Sequence, residues 1–167
     1  MDLLQFDARD LYFETEDSED VQNLIRSASE MYGSGSAELP LLQAYLRAPE
    51  SLNVLVALNR FYYYQHRLAE ALLIAEKALA LIRRDVGFPD DWRQLETQHI
   101  SEAPRERLTR IRLYLFTLKS IGFLHMRMKN LALSRSIFER LVMLDGKDRI
   151  GAKALLELVE RSEESVS

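Results

Sequence analysis

Few residues of this sequence combine a reactive side chain with the spacing that chemistry requires. Three histidines, His66, His99 and His125, lie far apart, and Glu96-x-x-His99 has the helical spacing of carboxylate-bridged di-metal sites. Such sites need a second copy of the motif, which the sequence lacks. There is also no cysteine, no glycine-rich phosphate loop and no nucleophile elbow. We therefore predict no catalytic residue, no metal ligand, no cofactor and no enzymatic activity.

An irregular stretch, residues 84–104, holds two large side chains that could serve binding instead. Phe88 and Trp92 lie there among acidic residues. A lone Trp in such a loop is either the plug of a small satellite core or the anchor of an interface. We keep both alternatives and treat Phe88 and Trp92 as a second candidate surface.

Charge is distributed unevenly along the chain. Residues 1–50 hold 11 acidic and 3 basic residues, whereas residues 105–149 hold 4 acidic and 11 basic residues, within a net charge of −4. Such oppositely charged regions either attract each other and are solvated, or orient a charged partner. The excess of acids elsewhere disfavours general affinity for nucleic acid, so a nucleic-acid-binding repeat protein is only a distant alternative.

Length and composition indicate a soluble protein. A chain of 167 residues usually forms one domain that buries enough surface to be stable without disulfides. The first ten residues, MDLLQFDARD, carry acids where a signal peptide needs bases, and no apolar run approaches 18 residues. With no cysteine, the composition fits a reducing compartment. We expect a cytoplasmic protein without a membrane partner.

The elements that must position any site are helices. Apolar residues recur at steps of three and four, which predicts an all-α chain of about seven helices. Six of the predicted helices cover about 18–32, 38–47, 51–65, 68–83, 104–128 and 131–144, and a seventh begins at about 148. A further short helix is predicted over 90–98. Gly33 is expected to end the first helix in a left-handed turn, and Asp90 to cap the short one.

Helix pairs recur with one internal spacing. With Leu52 as position 1, a 34-residue ruler finds large residues at Leu55, Leu58 and Tyr62, and alanines at 71 and 78. The same ruler fits from Ser18, one period earlier, and from Leu115, after 29 inserted residues. In the third pair, Gly122 holds the small position. This pattern resembles the tetratricopeptide repeat, although Asn59 replaces a small residue and His66 replaces the glycine of the turn.

The resemblance implies a fold and a division of the chain. The fold would be a right-handed array of antiparallel helix hairpins, a tetratricopeptide-like α-α superhelix. Residues 18–148 would form the repeat domain, with an insertion at 84–104. The acidic and aromatic segment 1–17 would precede it, and a capping helix with a tail would follow at 149–167.

The resemblance also implies a partner-binding groove, because the first helices of successive hairpins line a concave surface in that family. The residues at those positions are Asn53, Val56, Arg60, Tyr63, Tyr64, Phe116, Lys119, Phe123, Met126 and Arg127. Aromatic residues and cations suit an apolar, acidic segment of a client protein. The alternative is that these aromatics pack against residues 1–17 or the insertion, and both hold if the segment occupies its own groove until a client displaces it.

The predicted groove leads us to expect a protein-binding function. We predict an adaptor or assembly chaperone that binds a client protein, either a peptide segment or a folded subunit of a multi-subunit enzyme. Similarity in size and acidity makes a chaperone of type III secretion translocators the alternative. The carboxylate clamp of the family needs Lys and Asn where Val56 and Arg60 stand, so we do not expect C-terminal chaperone peptides as ligands. A homo-oligomer is compatible with the sequence.

Overall fold

The structure is a computed structural model that describes residues 17–165, apart from the side chain of Ser34. Within that range the chain forms helices and turns, and no strand. The α-helices are α1 (Glu19–Glu30), α2 (Glu38–Arg47), α3 (Leu52–Tyr64), α4 (Leu68–Val86), α5 (Thr97–Ser101), α6 (Leu108–Arg127), α7 (Leu131–Leu144) and α8 (Ala152–Glu164). Helices pack on their neighbours in sequence. The predicted all-α helical array is therefore confirmed.

The chain divides into two compact units, Met1–Ala78 and Leu79–Ser167, with the boundary inside α4. The predicted segment 1–17 lies outside the described residues except for Asp17. None of the helices formed by residues 17–165 has both the length and the apolar character that crossing a bilayer requires.

In the first unit, α3 is the buried centre. Helix α1 packs on α2, α2 packs on α3, and α1 also touches α3. Nine of the 13 residues of α3 are buried, as expected for a helix that is apolar on nearly every side. Ser51 begins α3 as its N-cap, because its Oγ accepts a hydrogen bond from Val54 N–H at 3.3 Å. Ser18 caps α1 in the same way.

A polar cluster ties three helices of this unit together. The guanidinium of Arg67, just before α4, donates to Glu38 Oε2 on α2 at 2.7 Å and to Glu70 Oε1 at 2.9 Å. The hydroxyl of Tyr62 on α3 donates to the other oxygen of Glu38 at 3.0 Å. The pKa of Glu38 lies below its usual value, and the hydrogen bond from Arg67 is the largest cause. The hydrogen bond from Tyr62 lowers it further. Burial and the Glu38 carboxylate raise the pKa of Tyr62 to about 12.

In the second unit, α6 packs on α7, α7 packs on α8, and α6 also touches α8. Gly122 in the middle of α6 is the point of close approach. A Cβ atom there would lie 2.7 Å from Phe138 Cε1 and 2.9 Å from Ile137 Cγ2 on α7. The Oγ atom of buried Ser134 donates to Gly122 O at 2.7 Å, so α7 is held against the α6 backbone. Glycine is needed here because a side chain would push the helices apart.

Two helix hairpins turn by the same device. His66, between α3 and α4, and Lys129, between α6 and α7, both have positive φ, at 57° and 66°. Each is the fifteenth residue of its ruler, which starts at Leu52 or Leu115. In each turn the next N–H bonds back to a carbonyl in the last turn of the preceding helix, as in Arg67 N to Tyr62 O at 2.9 Å. A side chain in this conformation is strained, which explains why glycine is common there.

Several predicted helix ends were wrong. The left-handed residue after α1 is Gly35, with φ 73°, rather than Gly33. The predicted helix over 90–98 is instead a 3₁₀ turn at Trp92–Gln94, capped by Asp91, followed by α5 at Thr97–Ser101. Extended backbone at Leu95 and Glu96 separates these two elements. Helix α6 begins at Leu108 rather than after Pro104, because a 3₁₀ turn at Arg105–Arg107 precedes it.

Candidate partner-binding surfaces

The C-terminal half of α3 brings a cation and aromatic rings together. The guanidinium carbon of Arg60 lies 5.6 Å from the ring centroid of Tyr64 and 5.8 Å from that of Tyr32. The rings of Tyr63 and Tyr64 meet edge to face, with centroids 5.4 Å apart. Tyr64 is 56% exposed. We call Tyr32, Arg60, Tyr63 and Tyr64 the Arg60 cluster.

Tyr32 is the member of this cluster that sequence reasoning missed. The sequence places it at the end of the first predicted helix, 18–32. It lies instead in the 3₁₀ turn Tyr32–Ser34 after α1, and its hydroxyl donates to Ala57 O at 3.4 Å. The ring also contacts Phe61, with centroids 6.2 Å apart. No local pattern pairs residues 28 positions apart, so only the packing of α1 on α3 brings Tyr32 to Arg60.

The other two predicted residues of α3 have different surroundings. The Nδ2 atom of Asn53 donates to Asp17 Oδ2 at 2.8 Å, which fixes the start of the described chain beside α3. Val56 is only 5% exposed. Val56 is thus a core residue here and does not offer a surface to a partner.

On α6, the predicted groove residues Lys119 and Met126 are buried. Lys119 is 4% exposed, and its ammonium donates to Ile150 O at 2.6 Å and lies 4.6 Å from the ring centroid of Phe116. Burial lowers the pKa of Lys119, and the charge of Asp148 opposes that shift only in part. The expectation that Lys119 offers an accessible cation was therefore wrong: it anchors the loop before α8.

The remaining residues of the α6 set are partly accessible. Phe116 and Phe123 are half-buried, and Arg127 is exposed with its guanidinium carbon 6.0 Å from the ring centroid of Phe123. These residues belong to the second compact unit, whereas the Arg60 cluster belongs to the first. That both sets share one groove stays a prediction.

In the insertion, Phe88 is a core residue. It is 5% exposed and meets the ring of buried Tyr114 edge to face, with centroids 5.0 Å apart. Burial is also the main reason why the pKa of Tyr114 rises to about 12. The prediction of Phe88 as an interface residue was therefore wrong, because the second unit uses its ring to fill its own interior.

Trp92 lies at a surface cleft of the second unit. The guanidinium carbon of Arg93 lies 4.4 Å from the Trp92 ring centroid. The cleft, about 460 Å³ in volume, is lined by Trp92, Arg93, Ser136, Glu139, Arg140 and Met143. Arg140 also donates to Leu95 O at 3.3 Å, which holds the insertion on α7. Trp92 is half-buried, and its role as plug or as anchor stays a prediction.

The spacing Glu96-x-x-His99 has a structural role. Nδ1 of His99 accepts a hydrogen bond from Glu96 N–H at 2.9 Å, and the Glu96 side chain accepts from the His99 backbone. The pair forms a capping box at the start of α5. Among residues 17–165 there is no group of three or more His, Asp or Glu side chains able to hold a metal ion.

Comparison with known proteins gives a relative. No protein-family model and no solved structure match the chain. A protein of Azotobacter chroococcum mcd 1, described as an uncharacterised 19.8 kDa protein in the nifW 5′ region, is 38% identical over 165 residues. The match spans 98% of this chain and 92% of the relative. The chain belongs to the same family as this Azotobacter protein. The relative's description states no activity, so the chemistry of the site has to be taken from its residues.

The Arg60 cluster is chemically suited to recognition rather than to bond-making. Tyrosine rings supply a large contact area at a small loss of conformational entropy, and a guanidinium binds carboxylates through two parallel hydrogen bonds. A ligand with both acidic and aromatic or aliphatic side chains matches these two features. Each member of the cluster is held by contacts within the first unit, which limits its reorganisation on binding.

Proposed function

We propose that the protein is a non-enzymatic, cytoplasmic binding module that holds a client protein, as an adaptor or as a factor in the assembly of a multi-subunit enzyme. Its ligand is a segment with acidic and apolar side chains. The observation that carries this proposal is the Arg60 cluster, in which the guanidinium carbon lies 5.8 Å and 5.6 Å from the ring centroids of Tyr32 and Tyr64, the latter 56% exposed. Arginine and tyrosine are, with tryptophan, enriched at the energetic hot spots of interfaces.

The relative supports a choice of first candidate partner. Its gene lies in the region 5′ to nifW. Because neighbouring bacterial genes frequently serve one process, we propose the product of the nifW gene as the first client to test. Proteins captured from the native host by crosslinking and mass spectrometry form the second set of candidates.

The test is a binding titration by calorimetry with Arg60→Glu and a matched control, Arg26→Glu. Arg26 lies on α1 of the same unit, is exposed, and contacts Asn23 at 3.2 Å. We expect Arg60→Glu to weaken client binding by about tenfold or more, which corresponds to about 1.4 kcal/mol. The control is expected to bind like the original protein.

Stability has to be measured beside affinity. Loss of the two cation–π contacts of Arg60 should lower the free energy of unfolding by about 1 kcal/mol, so both variants remain folded at the titration temperature. Equal weakening by Arg60→Glu and Arg26→Glu would show a general charge effect. Unchanged affinity in Arg60→Glu would remove the cluster from the binding site.

A further inference from the structure

The described chain begins in contact with the helix that carries the Arg60 cluster. Asp17 Oδ2 accepts a hydrogen bond from Asn53 Nδ2 at 2.8 Å, and Asp17 O accepts one from Gln22 Nε2 at the same distance. Asn53 is the second residue of α3, and Arg60 lies seven residues further along it. Asp17, to which residues 1–16 are joined, therefore lies beside α3.

The composition of residues 1–16 matches what the Arg60 cluster suits. The segment has five acidic side chains and one basic side chain, Arg9. Its six large apolar residues are Leu3, Leu4, Phe6, Leu11, Tyr12 and Phe13. It thus combines carboxylates for a guanidinium with rings and aliphatic chains for tyrosine rings.

The segment is long enough to reach the cluster. Asn53 and Arg60 are about 10 Å apart along the helix axis at the rise of an α-helix. Sixteen extended residues span up to about 50 Å. Sixteen residues are therefore more than enough to reach Arg60 from Asp17.

We infer that residues 1–16 dock on the Arg60 cluster of their own chain as an internal ligand, which a client must displace. The docking is inferred from the hydrogen bonds of Asp17 and from the composition of residues 1–16, whereas the displacement rests on the proposed function. A tethered segment has an effective concentration on the order of 1 mM. If it binds with a dissociation constant of about 0.1 mM, it is docked about nine-tenths of the time and weakens client binding about tenfold.

Photocrosslinking in the full-length protein tests the docking without any client. Benzoylphenylalanine replaces Tyr12, the protein is irradiated at a concentration of about 1 µM, and crosslinked peptides are identified by mass spectrometry. We expect crosslinks within one molecule to residues 32 and 56–64. Arg60→Glu should lower their yield several-fold, whereas Arg26→Glu should not.

Three results would overturn the inference. Crosslinks between two molecules would make the occupant a second copy of the chain. Crosslinks into residues 79–165 would place the segment on the other unit. A yield no higher than in denaturant would mean that the segment is not docked.

A second measurement tests displacement with a client that binds in the titration proposed above. The double variant Tyr12→Ser/Phe13→Ser replaces two apolar side chains of the segment by polar ones and should raise client affinity about tenfold. Unchanged affinity would contradict competition, and lowered affinity would make the segment part of the client site. A positive crosslink with no client found would separate the docking from a failure of the proposed function.

Discussion

Replacing Gly122 with alanine tests the close contact between α6 and α7. The new methyl group would lie 2.7 Å from Phe138 Cε1 and 2.9 Å from Ile137 Cγ2, and both neighbouring side chains are at most 1% exposed. Alanine raises helix propensity by about 1 kcal/mol relative to glycine. Overpacking a dense core costs about 1–3 kcal/mol, and widening the contact also strains the bond from Ser134 Oγ to Gly122 O, worth about 1 kcal/mol. We expect net destabilisation of about 1–2 kcal/mol.

Trp92 provides the measurement, because the chain has one tryptophan and it lies in the same unit as Gly122. Urea unfolding followed by its fluorescence should give the loss of free energy, and the melting temperature should fall by about 2–8 °C. Gly146→Ala is the matched control, since nothing lies within 4 Å of its added Cβ. Adding Phe138→Leu to Gly122→Ala should recover part of the loss. A Gly122→Ala protein as stable as the original would refute the close approach.

Three further substitutions test the turns and the polar cluster. The substitutions His66→Gly and Lys129→Gly should each raise the free energy of unfolding by about 0.5–1 kcal/mol, because glycine adopts positive φ without strain. Urea unfolding measures this change, and destabilisation by both would contradict the turn geometry. Glu38→Gln should lower stability at pH 7 by about 0.5–1.5 kcal/mol, since the Arg67 pair is about one-third exposed and partly screened by solvent. The folded pKa of Glu38 is depressed, so its stabilisation is present above the unfolded pKa of about 4.3 and is lost as pH falls through the folded value. The difference between original and Glu38→Gln in thermal melts should therefore shrink below about pH 4, and a difference independent of pH would assign it to shape rather than charge.

Local signals predicted the regular helices well. Ser18 and Ser51 accept backbone hydrogen bonds at helix starts, and the ranges 38–47 and 131–144 were predicted with the bounds of α2 and α7. These features depend on residues within one or two turns of each other. The insertion was harder, because Glu96 and His99 stabilise a helix of only five residues that has too few apolar positions to show a period.

Burial of individual site residues could not be predicted, since it depends on distant parts of the chain. Lys119 was assigned to an accessible surface from its repeat position. Its ammonium is instead held by Ile150 O, 31 residues further along. Phe88 is buried for a similar reason, because Tyr114 packs on it from α6. Arg60, Tyr63 and Tyr64 lie together because one helix carries all three.

A comparison of the two hairpins explains why polar residues depart from the predicted repeat pattern. In the first hairpin, buried Asn59 at position 8 donates to Ala71 O at position 20, at 2.8 Å. In the other, buried Ser134 at position 20 donates to Gly122 O at position 8, at 2.7 Å. Both bonds span 12 residues and join the same two positions, with donor and acceptor exchanged. A polar residue is tolerated at either position because the facing position is small enough for its backbone carbonyl to accept the hydrogen bond. Two different sequences thus maintain the same contact between positions 8 and 20 in the two hairpins.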